Sequence, residues 1–422
     1  MSEKTSRIPG FYKLSPEKRL NIVKEFANLT DEEVKLLSKE GYLKTEQAER
    51  MIENVIGFKN LPLGIATNFL INGKDYLIPM SIEEPSVVAA ASHAAKLARK
   101  TGGFKCSHTD PIMIGQIQTV KVPNLEEAKM TILKEKENIT EKANEQSPTI
   151  VRLGGGVKDL QVKLLDTIKG SMLITELYID VRDAMGANII NSMLEAVTPI
   201  IEKATKGKVY LRILSNLATE RLARARVVYS KDILGEDVIE GVIYAYAFAK
   251  ADPYRCSTHN KGIMNGVIAI GLALSQDIRA IEAGAHAYAS RSGHYQSLTT
   301  WEKNENGDLV GSIEIPMAVA TVGGATSTDP IAKICMKILD VTKATELGEI
   351  MAAVGLANNF AAMKALATEG IIRGHMELHA RNIAIIAGAT GDLIDEVAEI
   401  MVKERKVKVE RAKEILKKLK KS

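Results

Sequence analysis

KDLQVKLLDTIKGSMLITELYIDVRDAMGANIINSMLEAVTPIIEKATKGKVYLRILS, Lys158–Ser215, decides the fold. Two β-rich runs, KDLQVKLLD and SMLITELYIDV, are followed by a helical run that opens near Met185-Gly186 and then by a third β-rich run, KVYLRILS. Upstream lie a strand, QIQTVKV (116–122), and a helix, LEEAKMTILKEKENITEKANEQ (125–146). The order β-α-β-β-α-β is that of a split βαβ, or ferredoxin-like, unit.

The flanks read differently. The first hundred residues carry helices capped by Ser15 and Thr30, then a strand pair, ATNFLINGKDYLIPM, with Asn72-Gly73 as its hairpin signal. EEPSVVAAASHAAKLARK reads as a helix with Pro85 in its first turn. After about Ser230 the chain is again mostly helical, rich in Ala and Gly. The fold class expected is therefore α+β, a mostly helical large domain with an inserted ferredoxin-like small domain and a final helical segment from about Glu369. The divisions fall at 1–110 and 217–374 for the large domain, 111–216 for the small domain and 375–422 for the last helices.

A chain of 422 residues exceeds one ordinary core, and its 45% hydrophobic and 26% charged residues are those of a globular protein. A net charge of +4 singles out neither nucleic acid nor a membrane surface as partner. No signal peptide and no apolar run of about 18 residues is apparent, so a cytoplasmic protein without a membrane span is expected. The three cysteines, Cys106, Cys256 and Cys335, form no CxxC pair. The basic C-terminal run, with Val409, Ile415, Leu416 and Leu419, fits an amphipathic surface helix.

Candidate chemistry is spread along the chain. There is no GxGxxG, and neither LGGGVKD nor VGGATSTDP has P-loop spacing. DPYRCSTHNKGIMNG, Asp252–Gly266, reads as a polar loop bearing Arg255, His259, Asn260, Lys261 and Asn265 beside an apolar helix. Asp277, beyond that helix, could cap the next one or pair with a lysine. Glu83 and Glu84 precede Pro85 where ordinary capping competes with a catalytic carboxyl. In DVRDAMGAN, Asp180–Asn188, helix N-terminal amides could hold a phosphate. HMELH places His375 and His379 on one helical face. Met376 stands where a zincin needs glutamate, so the residues leave a structural histidine and a general acid open and no metal is expected.

In order, ENVIG (Glu53–Gly57), EEPSVVAAAS, DVRDAMGAN, DPYRCSTHNKGIMNG, GHYQSLTTWE, VGGAT and GHMELHARN resemble the signature blocks of 3-hydroxy-3-methylglutaryl-CoA reductase, in its soluble, bacterial-type class II form. The resemblance covers nearly the whole chain, from SRIPGF to the last helix. It implies a four-electron reduction of the thioester 3-hydroxy-3-methylglutaryl-CoA to mevalonate and coenzyme A by NADH or NADPH. It also implies that the large domain binds acyl-CoA, that the small domain binds the dinucleotide, and that the last helices, 375–422, form a helical C-terminal flap that closes over the site.

By the same resemblance the catalytic residues are Glu84, Lys261, Asp277 and His379, with His375 structural. Ser86, Arg255 and Asn265 are expected to hold the hydroxymethylglutaryl group, and Asp183, Met185, Gly186, Asn188 and Asn216 to line the dinucleotide site. Ser147 falls where some NAD-preferring relatives carry an acid, which leaves NAD and NADP both open. A homodimer is the expected minimal active unit, assembling into hexamers. The reverse, mevalonate-oxidising direction and a non-catalytic CoA-binding protein are the alternatives.

Overall fold

A computed structural model describes residues 4–39, 41, 43–368 and 371–420, without the side chains of 371–378, so His375 lies outside the described residues. The N-terminal part runs α1 (Pro16–Ala27), α2 (Asp31–Leu37), α3 (Thr45–Ala48), β1 (Leu63–Ile71), β2 (Lys74–Ser81), α4 (Val87–Ala98) and β3 (Lys105–His108). Thr30 and Glu33 form the reciprocal cap of α2, and Asn72 (φ 50°) and Gly73 (φ 85°) take the left-handed turn that joins β1 to β2.

The next unit is β4 (Ile112–Val120), α5 (Leu125–Lys134), α6 (Lys136–Asn144), α7 (Pro148–Arg152), β5 (Gly156–Thr167), β6 (Gly170–Asp180), α8 (Ala187–Thr205) and β7 (Lys208–Leu214). Its sheet has the order β5-β6-β4-β7 with every pair antiparallel, which is the ferredoxin-like arrangement. α8 turns Ile190, Met193, Leu194, Val197 and Ile201 onto the sheet, a 3.6-residue stripe. Gly115 is obligatory beneath it, because a Cβ there would stand 2.7 Å from Ile190. The single helix expected over 125–146 is broken at Glu135, whose backbone (φ −84°, ψ 5°) leaves the helical range.

The chain returns through β8 (Leu222–Tyr229), α9 (Lys231–Leu234), α10 (Glu236–Ala251), α11 (Pro253–Ala273), α12 (Ile278–Ala289), β9 (Thr299–Lys303), β10 (Leu309–Pro316), α13 (Pro330–Leu339) and α14 (Ala344–Ala367). The sequence reading missed the four-stranded sheet β3-β8-β10-β9 in this part. Its strands are short and broken by polar residues, and their pairing is long-range. α14 is apolar around most of its girth and forms the axis of the largest core, against α4, α10, α11, β8 and β10. Among the described residues it is also the one helix long and apolar enough to cross a membrane, but 67% of its apolar window is buried within the protein.

The chain ends in α15 (Ile371–Ile386), α16 (Leu393–Lys403) and α17 (Val409–Leu419), which share a small core of their own around Ile383, Val397, Met401 and Ile415.

Candidate active site

DPYRCSTHNKGIMNG is not a loop. It forms most of α11, with Asp252 as N-cap accepting from the Tyr254 amide at 2.8 Å and Pro253 at the first position. The local signals are those of a helix start, and the charged residues that suggest a loop are sorted by its periodicity. Cys256, His259, Asn260, Ile263 and Met264 face the core, while Lys261 is exposed and Asn265, one turn on, is half-buried.

The buried polar residues lock the helix in place. Asn260 Nδ2 donates to the Gln296 carbonyl (2.9 Å), and its Oδ1 accepts from Leu298 N (3.1 Å). His259 Nε2 accepts from Asn359 Nδ2 (3.1 Å) and lies 2.8 Å from the hydroxyls of Ser297 and Thr299. Burial, with nearby Arg255 adding to it, pushes the His259 pKa down to about 3. This histidine is therefore a neutral structural group. Gly266 lets α11 approach α14, since a Cβ there would lie 2.6 Å from Asn358 Oδ1.

Glu84 occupies the turn between β2 and α4. Its Oε2 accepts from Lys261 Nζ in an ion pair, and its Oε1 from Asn265 Nδ2 at 3.3 Å. α4 begins at Val87, later than expected. Pro85 lies outside it, and Ser86 is the cap in a left-handed conformation (φ 74°) that a non-glycine residue adopts at a cost of about 1–3 kcal/mol. Ser86 Oγ is buried without a hydrogen-bond partner, a hydroxyl held ready beside the Glu84–Lys261 pair. Arg255, in the first turn of α11, has no ion-pair or hydrogen-bond partner among the described residues, and burial pushes its pKa down.

The structure does not bring every expected residue to this pair. Asp277 caps α12, accepting from Ala280 N at 3.1 Å, and pairs with Arg279 at 3.2 Å; it makes no recorded contact with Lys261 or Glu84. His379 is exposed on α15 and likewise touches neither.

The expected dinucleotide residues gather at the junction of the small and large units. Gly186 (φ 103°) starts α8 with no side chain capping it and no acid in the first turn, so the helix presents unopposed amides, with Asn188 exposed beside them. A Cβ on Gly186 would stand 2.6 Å from Val181. Asp183 Oδ1 accepts from Ala344 N at the start of α14 (2.8 Å), and its carbonyl from Thr321 N (3.0 Å). The Asn216 carbonyl stands 2.5 Å from where a Gly284 Cβ would be, which seats it on α12. Ser147, at the α6–α7 junction, is one short helix from the Gly154–Gly156 turn. That turn is fastened to DVRD by Arg182, which donates to the Gly154 carbonyl.

Sequence reasoning missed Arg221. Fully buried, it donates to the carbonyls of Ala184 (3.0 Å), Met185 (3.4 Å) and Val319 (2.6 Å), so one guanidinium ties the DVRDAMG loop to the segment leading into VGGAT. Burial pushes its pKa down to about 10 against the pull of Asp183 and Asp180. Gln276 completes the tie, exchanging hydrogen bonds with Ala320 in both directions (2.9 and 2.8 Å). Arg221 is the first of three arginines in TERLARARVV, and nothing in the sequence marks it apart from Arg224 and Arg226.

A cleft of about 1540 Å³ runs along the outer face of α4, past Val88, Ser92, His93 and Lys96, and is rimmed by Arg19 and Lys100. Among the described residues no three His, Cys, Asp or Glu side chains converge as metal ligands would.

Comparison with known proteins gives one consistent answer. The family model described as hydroxymethylglutaryl-coenzyme A reductase matches residues 15–380. The 3-hydroxy-3-methylglutaryl-coenzyme A reductase of Archaeoglobus fulgidus is 61% identical over 416 residues, covering 98% of this chain and 95% of that protein. The probable reductase of the same name from Borreliella burgdorferi is 36% identical over 339 residues, 79% and 77% of the two chains. Among solved structures, the Streptococcus pneumoniae reductase superposes with a TM-score of 0.83 at 39% identity, over 97% of this chain and 99% of that one. A class II enzyme of that species bound to NADPH in open conformations gives 0.82 at 41% identity, over 85% and 99%.

Proposed function

The chain belongs to the hydroxymethylglutaryl-coenzyme A reductase family, and from that premise we propose that the Glu84–Lys261 pair is the centre at which its thioester substrate is reduced. The protein is an NAD(P)H-dependent oxidoreductase that converts 3-hydroxy-3-methylglutaryl-CoA to mevalonate and coenzyme A, consuming two reduced dinucleotides and two protons. The observation that carries the assignment is the convergence of Lys261 and Asn265 on the Glu84 carboxylate, two residues before the unpartnered hydroxyl of Ser86.

The dinucleotide, when bound, supplies hydride to the acyl carbon in each of two steps. Asp183, Met185, Gly186, Asn188 and Asn216 would hold it, and the uncapped start of α8, with its amides and helix dipole, would suit its phosphates. Ser147 accepts either form of the cofactor, since a hydroxyl does not repel a 2′-phosphate. Arg221 keeps that loop in register with the large domain.

Lys261, as an ammonium, stabilises the oxyanion that forms at the thioester carbonyl. Glu84 donates a proton to the oxygen at the aldehyde level. Asp277 holds Lys261 charged once substrate and the second subunit close the site; in the single chain its carboxylate is engaged by Ala280 and Arg279. His379, carried in by the 375–422 flap, protonates the departing thiolate and prevents its return. The flap's separate core supports such independent movement.

Arg255 takes the free carboxylate of the hydroxymethylglutaryl group, with Ser86 and Asn265 on its other oxygens. The cleft along α4 takes the coenzyme A arm, its basic rim facing the phosphates. This is the acyl-CoA role of the 1–110 and 217–374 domain, beside the dinucleotide role of 111–216.

The active unit is a homodimer, assembled further into hexamers. Lys261 and Glu84 are 58% and 39% exposed in one chain, too open to exclude water. Elsewhere on the surface Tyr244 and Phe248 of α10 and Tyr254 of α11 stand uncovered, and so do Met51, Ile52, Ile56 and Phe58 around the ENVIG segment. The setting is cytoplasmic, with α14 serving as core helix.

The test is dinucleotide oxidation on addition of 3-hydroxy-3-methylglutaryl-CoA, with NADH and NADPH in parallel and free thiol followed. Two dinucleotides oxidised per thiol released are expected. Thiol release without oxidation would mean thioester hydrolysis instead.

A further inference from the structure

The outer face of the β3-β8-β10-β9 sheet carries a hollow of about 640 Å³ that the reductase chemistry does not use. Its floor follows from strand register. Lys105 is paired with Arg226, Arg226 with Ser312 and Ser312 with Thr300, one row across all four strands. The adjoining row reads Ser107, Arg224, Glu314. These side chains point away from the core, because the alternating residues Ala225, Val227 and Ile313 are buried. The end of α12 supplies a wall, with Arg291 stacked on the Tyr288 ring.

Four cations, Lys105, Arg224, Arg226 and Arg291, face this hollow against the single carboxylate Glu314, leaving three positive charges over. Glu314 is already committed to Arg224 at 2.7 Å, to Arg291 at 3.8 Å and to the Tyr288 hydroxyl. Glu302 stands one row further on, at the edge strand and opposite Val310. Neither Lys105 nor Arg226 has an ion-pair or hydrogen-bond partner among the described residues. Like charges directly across a strand pair are destabilising, and nothing in the packing requires them here. Isolated surface cations would be unremarkable in themselves; opposed cations lining a concave floor set with hydroxyls are arranged for an anion.

We propose that this hollow binds a small polyanion of the phosphate class, at least a diphosphate, at a site separate from those of the dinucleotide and the acyl-CoA. Opposed side chains begin about 5 Å apart, so Lys105 and Arg226 can close on one phosphoryl group. The guanidinium can grip it bidentately while Ser312 and Thr300 donate hydroxyls.

The test uses inorganic pyrophosphate as probe, titrated calorimetrically into the purified full-length oligomer saturated with NADP and coenzyme A. Wild type, the Lys105→Ala/Arg226→Ala double variant and the milder Lys105→Gln are compared. Wild type is expected to bind one pyrophosphate per chain. The double variant should bind it at least tenfold more weakly and Lys105→Gln several-fold more weakly, with KM for NADPH and 3-hydroxy-3-methylglutaryl-CoA unchanged in both. With no ligand present, the double variant should melt no lower than wild type, because a repulsion has been removed. The proposal is overturned by absence of binding to wild type, by equal affinity in all three proteins, or by binding that appears only when NADP and coenzyme A are left out, which would put the probe in the active site.

Discussion

Lys261 and Glu84, 177 residues apart in sequence, meet in a hydrogen-bonded ion pair between α11 and the turn that opens α4. The packing that creates the pair is apolar and distant from it, with α4 and α11 both laid against the buried α14. Asn358 of α14 donates to the Val87 carbonyl at 3.1 Å, directly behind Ser86, and its Oδ1 lies against Gly266. One core helix thus sets the distance between the two halves of the site.

The role proposed for His379 separates two stages of the reaction. Replacing His379 with Gln is expected to slow reduction of the thioester by about 10²- to 10³-fold, as loss of a general acid does. Reduction of free mevaldehyde, which releases no thiolate, should stay within a few-fold of wild type. Comparable losses in both assays would remove His379 from the thiolate step.

The role proposed for Ser147 in cofactor choice can be tested by adding a charge there. A Ser147→Asp variant is expected to lose at least tenfold in kcat/KM with NADPH, about 1.4 kcal/mol, through repulsion of the 2′-phosphate, while kcat/KM with NADH holds. A parallel fall with both cofactors would point to a disturbed α6–α7 junction instead.

The proposed dimer can be tested at an exposed aromatic pair. Tyr244 and Phe248 lie one turn apart on α10 and are uncovered in the single chain. A Phe248→Asp variant is expected to sediment as a monomer with native circular dichroism and no turnover. A fully active monomer would show that the site is complete within one chain.

His259 makes stability depend on pH. Its folded pKa is depressed to about 3, against roughly 6.5 in the unfolded chain, so the unfolded state binds the extra proton. This contribution is complete above pH 6.5 and is lost as pH falls toward 3, at up to about 1.4 kcal/mol per pH unit. Urea unfolding between pH 7 and pH 4.5 should show the dependence, and His259→Gln should flatten it by one proton. An unchanged slope in the variant would assign the loss to other groups.

Much of this was legible in the sequence, for reasons that differ by element. The ferredoxin-like unit shows because its helices carry clean stripes, such as Ile190–Ile201 of α8, between runs of alternating strand residues. The ordered motif blocks mark the site residues, and the structure brings Glu84, Lys261 and Asn265 together.

What stayed hidden depends on long-range pairing. The β3-β8-β10-β9 sheet joins strands from both sides of the small unit, so no local pattern marks it. α11 was misread as a loop because its polar residues are split between a buried set, His259 and Asn260, and an open set, Lys261 and Asn265. Arg221 has meaning only beside the three carbonyls it collects.

The most direct measurement is single-turnover reduction of 3-hydroxy-3-methylglutaryl-CoA by a Lys261→Met variant that is shown to be folded, oligomeric and able to bind both substrates. The side chain nearly keeps its length and loses its charge, so the oxyanion donor is removed together with the ion pair to Glu84. A fall of at least about 10³-fold in the hydride-transfer rate is predicted, the scale of losing a preorganised oxyanion donor. A rate within tenfold of wild type would contradict Lys261 as the group on which reduction depends.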